Sequence, residues 1–134
     1  MQDCIFCKIA RGEIPCAKIW EDKEHLAFLD LYPPMKGMTL IIPKKHFGSY
    51  AADMDDKNYC NLFLAAKKVS KLLDKKLGAI RTAMVMEGME INHVHIKLYP
   101  LYHDIYQGYL STKSGAKADI NELNKLAEKI RGKL

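Results

Sequence analysis

The 134-residue chain has no run approaching the roughly 20 apolar residues that a membrane-crossing helix needs, which excludes a helical membrane protein. Its first residues, Met1-Gln2-Asp3-Cys4, lack a basic stretch followed by an apolar one, so no export signal is read and a cytoplasmic setting is expected. Cysteine is scarce, at 4 residues, and without a signal peptide this argues against a disulfide framework. Reduced thiols or a metal site are left as the alternatives. Internal repeats and low-complexity segments are absent as well, which excludes solenoids and disordered tails.

What the chain does contain is an ordinary globular mixture, 49% hydrophobic and 28% charged, enough for a buried core. Its length predicts a single domain over residues 1–134. Lys and Arg exceed Asp and Glu by a net +5, with a pI near 9.0. The excess lies on Lys67, Lys68, Lys71, Lys75, Lys76 and the tail from Lys125 to Lys133. No aromatic interleaving accompanies it, so solvated helix faces are expected and a nucleic-acid partner is not.

Cys4 to Ile9 reads as a turn or short helix ended by Gly12 and Pro15. Strands are predicted over Ala17–Glu21 and Leu26–Asp30, joined as a hairpin, and over Thr39–Pro43, where β-branched residues suit a buried strand. Apolar residues recurring at three and four (Tyr59, Leu62, Phe63, Ala66, Val69, Leu73, Leu77) predict a long amphipathic helix over Asp55–Leu77, with Gly78 placed to end it. Cys60 falls near its buried face and reads as a small core residue. Strands follow over Ile80–Met86 and Ile91–Tyr99, then a loop over Pro100–Ala118 containing Tyr102, Tyr106 and Tyr109, then a helix from a capping box at Asp119 to about Ile130. Short connections between successive strands predict an α+β fold, an antiparallel sheet with helices on one face.

The chemistry concentrates in Ile91-Asn92-His93-Val94-His95-Ile96-Lys97-Leu98-Tyr99. On a strand, Val94, Ile96 and Leu98 face the core, while His93, His95 and Lys97 share the opposite face. Imidazole serves as a neutral nucleophile near pH 7, and a neighbouring cation can hold phosphoryl oxygens. Two histidines at this spacing also suit metal ligation or a plain surface role. Cys4-x-x-Cys7 has the spacing that puts two thiolates on one zinc ion, with a redox dithiol as the rival, and His46 and His93 are available to complete a Cys2His2 set.

These pieces resemble the histidine triad, or HIT, family. The resemblance rests on Cys4-Ile5-Phe6-Cys7-Lys8-Ile9 with Gly12-Glu13-Ile14-Pro15, on Leu26-Ala27-Phe28-Leu29-Asp30 with Pro33, on Gly37-x-Thr39-Leu40-Ile41-Ile42-Pro43-Lys44-x-His46, and on Gly88 with His93-Val94-His95, spanning about residues 4–100. It implies a five-stranded antiparallel sheet, one long central helix and a C-terminal helix, dimerised across a sheet edge. It also implies hydrolysis or transfer at the α-phosphate of nucleoside phosphoramidates or dinucleoside polyphosphates through a nucleotidyl-histidine intermediate. By position the nucleophile is His95, with Lys97 beside it as phosphate electrophile. A purine nucleotide would bind at Phe6, Phe28, Asp30, Leu31, Gly88, His95 and Lys97, and a structural Zn2+ would take Cys4, Cys7, His46 and His93.

The chain departs from the family pattern at Lys97, where the third histidine belongs, at Met38, where another active-site histidine is usual, and at Gly88-Met89-Glu90. A lysine of ordinary pKa is a poor proton donor at neutral pH. Two further readings therefore stand beside the enzyme: a nucleotide-binding module with weak or no catalysis, and a zinc-stabilised interaction protein. For the nucleophile, a carbonyl of a neighbouring strand is expected to hold one ring nitrogen of His95.

Overall fold

A computed structural model describes residues 3–102 and 110–132; Tyr106 and Tyr109 lie outside the described residues. The elements in chain order are α1 (Ile5–Ala10), β1 (Lys18–Glu21), β2 (His25–Leu29), β3 (Thr39–Pro43), a 3-10 turn (Ala51–Asp53), α2 (Asp56–Leu77), β4 (Arg81–Val85), β5 (Ile96–Leu101) and α3 (Ile120–Arg131). The strands form one 5-stranded antiparallel sheet in the order β1-β2-β3-β5-β4. Among the described residues no helix is long and apolar enough to cross a membrane.

Local chemistry sets most boundaries. Asp22 closes the β1–β2 hairpin by accepting from the backbone N–H groups of Glu24 at 2.9 Å and His25 at 2.6 Å. Asp55 caps α2 by accepting from Asn58 N–H at 3.1 Å, and Gly78 ends it with φ of 69°, a conformation costly for a residue bearing Cβ. Asp119 caps α3 through Asn121 and Glu122.

Strand alternation divides the interior in two. Ala27, Leu29, Ile41, Ile96 and Leu98 face α2 and α3, where Leu62, Val69, Leu73, Leu123, Ala127 and Ile130 complete the larger core. Leu26, Phe28, Leu40, Ile42 and Tyr99 face the other way and are covered by Phe6 and Ile9 of α1. Helices thus lie on both faces rather than one. This follows from β2 and β3, which are buried at every position and present two apolar faces to cover.

Two further expectations are corrected. The last long strand begins at Ile96 and not at Ile91, because Val94 N–H donates to Phe47 C=O at 3.0 Å and His93 N–H turns back on Ile91 C=O at 2.9 Å. That strand also runs through Pro100 to Leu101, where a loop was expected. Cys60 is exposed on α2, since the buried stripe runs through Leu62, Ala65, Ala66, Val69, Ser70 and Leu73. Replacing Leu62 by Ala is expected to remove about 2–5 kcal/mol of unfolding free energy, against less than about 0.5 kcal/mol for Cys60→Ala. Urea unfolding of the two variants checks this contrast, and equal losses would contradict the placement of the stripe.

Candidate functional site

The irregular segment before β5 is fastened to the loop after β3. Besides the Val94–Phe47 bond, Ser49 N–H donates to Asn92 Oδ1 at 3.0 Å. Gly88, at φ of 66°, sits so close that a Cβ there would stand 2.6 Å from Ser49 O. These contacts bring His46, just past β3, against His93, with ring centroids 5.0 Å apart and planes at 88°.

α1 supplies the other half of the cluster. Cys4 caps its N-terminus, its Sγ accepting from Cys7 N–H at 3.5 Å, and one turn carries the Cys7 thiol to the same side. Cys4 Sγ then lies 3.4 Å from His93 Nδ1, and Cys7 Sγ lies 3.3 Å from His46 Nδ1 and 3.5 Å from His93 Nδ1. All four donor atoms fall within 4.8 Å of one another. A tetrahedral ion with bonds of about 2.0–2.3 Å requires edges of about 3.3–3.8 Å, so the three shortest separations fit a metal centre.

The protonation chemistry fits as well. His93 donates from Nε2 to Pro43 C=O at 2.8 Å, which leaves the Nδ1 lone pair aimed at the thiols. Burial, with neighbouring His46 and His95 assisting, pushes its pKa down to about 4 against the opposing bond to Pro43, and the ring stays neutral. Burial also raises the Cys7 thiol, with Cys4 adding to the effect through hydrogen bonding and charge. Two adjacent thiolates are disfavoured there until a cation neutralises them. Cys16, half-buried, and Cys60, exposed, lie outside this cluster.

His93 serves the neighbouring residue too. His95 Nδ1 donates to the carbonyl of His93 at 2.7 Å, so the holder is two residues upstream in the same segment and not on a neighbouring strand. The turn at residues 91–93 folds that carbonyl back toward the ring. This bond fixes the tautomer with a free Nε2 lone pair. Burial lowers the His95 pKa; the His93 carbonyl opposes that, Lys97 adds to it, and Glu87 and Asp30 oppose it. A buried neutral imidazole with one open nitrogen can act as a nucleophile or take a proton.

Lys97 donates to Glu87 Oε1 at 2.5 Å. Burial works against its charge, but the bond from Glu87 and the charges of Tyr99, Glu87 and Glu90 raise its pKa above the ordinary lysine value. The sequence reading passed over Glu87. The signal lies in the register: Val85 at the end of β4 pairs with Lys97, and Glu87, two residues beyond that end, is within reach of the Lys97 side chain.

Phe6 links the metal cluster to His95, with its ring centroid 5.8 Å from His93, 5.1 Å from His95 and 5.9 Å from Phe28. Phe6 and Phe28 are buried, and Asp30 is half-buried at the end of the same strand face. Leu31 is not brought together with them, because alternation turns its side chain to the larger core. Met38 fills an apolar position in the smaller core, and Met89 is 86% exposed.

The chain is a small α+β protein whose five-stranded antiparallel sheet carries a two-thiol, two-imidazole cluster able to hold a metal ion, beside the imidazole of His95 and the Lys97–Glu87 pair. A model of the HIT domain matches residues 11–104, and the chain belongs to the HIT family. An uncharacterized HIT-like protein of Methanocaldococcus jannaschii is 44% identical over 104 residues, covering 74% of this chain and 79% of its own. An adenosine 5'-monophosphoramidase of Saccharomyces cerevisiae is 33% identical over 132 residues, covering 98% and 82%. The crystal structure of a hypothetical histidine triad nucleotide-binding protein of Sulfolobus tokodaii superposes with a TM-score of 0.83 at 29% identity, covering 96% and 89%.

Titration of the metal-free protein with Co2+ is expected to produce thiolate-to-cobalt charge-transfer absorption saturating at one equivalent, and Cys7→Ser is expected to remove most of it. Absence of thiolate bands in the unaltered protein would contradict the ligand set.

Proposed function

We propose that the chain is a nucleotide hydrolase or nucleotidyl transferase acting at the α-phosphate of nucleoside phosphoramidates or dinucleoside polyphosphates. The observation that carries this reading is the His95–His93 bond of 2.7 Å, which leaves Nε2 free beside the Lys97 cation. Nε2 attacks phosphorus and holds the nucleotidyl group, and water then releases it as a nucleoside monophosphate. Lys97 takes up charge on the phosphate oxygens. The base of a purine nucleotide rests against Phe6 and Phe28, the ribose hydroxyls meet Asp30, and the backbone at Leu31 and Gly88 borders the site. The whole chain works as one unit in the cytoplasm.

Cys4, Cys7, His46 and His93 hold a structural Zn2+ in this reading, which ties α1 to the sheet and so keeps Phe6 in place. Edge strand β4 pairs two copies into a homodimer, since an open antiparallel edge with Met84 exposed needs a cover. Light scattering is expected to return twice the 15.3 kDa chain mass, and a value near the chain mass at tens of micromolar would contradict the pairing.

A second reading is a nucleotide-binding module with little turnover, favoured by the paired, strongly charged Lys97 at the third triad position. Mass spectrometry of protein quenched during turnover of an adenosine phosphoramidate separates the two. The enzyme reading expects a nucleotidyl adduct on His95 and its loss, with activity, in His95→Ala. Hydrolysis surviving that substitution would overturn the mechanism.

A further inference from the structure

We infer that the Glu87–Lys97 pair selects leaving groups that depart as phosphate oxyanions and disfavours those that depart as amines. This deepens the proposed function and rests on His95 as nucleophile. The charges of both members of the pair bear on that residue. The Lys97 side chain is 18% exposed, Glu87 is 45% exposed, and Nζ and Oε1 are 2.5 Å apart.

An amine leaves phosphorus only when it takes up a proton as the bond breaks. Among the described residues, the charged groups bearing on His95 are Lys97, Glu87 and Asp30, with His46 bearing on His93 alongside it. Neither member of the pair is suited to give that proton near neutral pH. Glu87 is held below the usual carboxylate range by Lys97, and Lys97 keeps its proton through the bond to Glu87. His93 is engaged at both ring nitrogens, by Pro43 and by the thiols, and His46 faces Cys7. Met38 offers only a thioether in an apolar setting.

A phosphate leaving group needs positive charge and no proton. His95 Nε2 forms the bond to the α-phosphorus, and the P–O bond to the leaving phosphate breaks with its electron pair on that oxygen. The new oxyanion takes Glu87's place on Lys97. Water then breaks the P–N bond, returns the electron pair to Nε2, and yields a nucleoside monophosphate and one proton to solvent. Glu87 is a positioning residue in this scheme: it holds the lysine extended and competes with the incoming phosphate, so its effect falls on KM.

The test compares kcat/KM for diadenosine tetraphosphate and adenosine 5'-phosphoramidate. The unaltered protein is expected to prefer the polyphosphate. Lys97→Gln is expected to lose about 100-fold on the polyphosphate and only about 10-fold on the phosphoramidate, whose α-phosphate the lysine also holds, and Lys97→His to gain about 10-fold or more on the phosphoramidate. Glu87→Gln, at an exposed position, is expected to lower KM for the polyphosphate several-fold with kcat nearly constant. A preference for the phosphoramidate, a ratio unmoved by Lys97→Gln, or a raised KM in Glu87→Gln would overturn the inference while leaving His95 as nucleophile. No turnover and no nucleotide linked to His95 from either donor would overturn the nucleophile reading, and this inference with it.

Discussion

One residue, His93, makes the rest of the site possible. Its Nε2 is spent on Pro43 C=O, its Nδ1 is turned to the thiols of α1, and its carbonyl accepts the proton of His95 Nδ1. The four-residue cluster, the sheet and His95 therefore share a single rigid joint. A change at any of the three contacts propagates to the others, because the imidazole and the peptide plane of one residue serve all of them. Complete burial of His93 keeps water from competing for these bonds.

The fold exists to support that joint from both sides. The larger core fixes β3 and β5 against α2 and α3, and the β3–β5 pairing runs Pro43 past the segment that carries His93, whose Nε2 reaches the Pro43 carbonyl. On the opposite face the six-residue α1 has too few hydrogen bonds to persist alone. It is held by burial of Phe6 and by the convergence of Cys4 and Cys7 on the histidines, so a metal ion bound there would fasten this corner to the sheet.

The hydrophobic period made α2 legible and Gly78 marked its end, while α3 was readable from the capping box at Asp119. The four-residue cluster was legible through the C-x-x-C spacing together with the resemblance to the HIT family, which implied His46 and His93 as its partners. Three features were hidden. The late start of β5 depends on Phe47 C=O taking the N–H of Val94 and Ser49 N–H taking the side chain of Asn92, a pairing between distant loops that alternation cannot reveal. The two-sided covering of the sheet depends on α1, which has no period of its own. Glu87 was hidden because its relation to Lys97 is set by strand register, and register is a tertiary property.

Everything proposed for the reaction depends on which nitrogen of His95 carries the proton. Long-range 1H–15N correlation spectra of histidine-labelled, metal-loaded protein at neutral pH report this directly. A neutral ring protonated at Nδ1, with Nε2 showing the shift of an unprotonated nitrogen, is the predicted result. A ring protonated at Nε2, or at both nitrogens, would contradict the account.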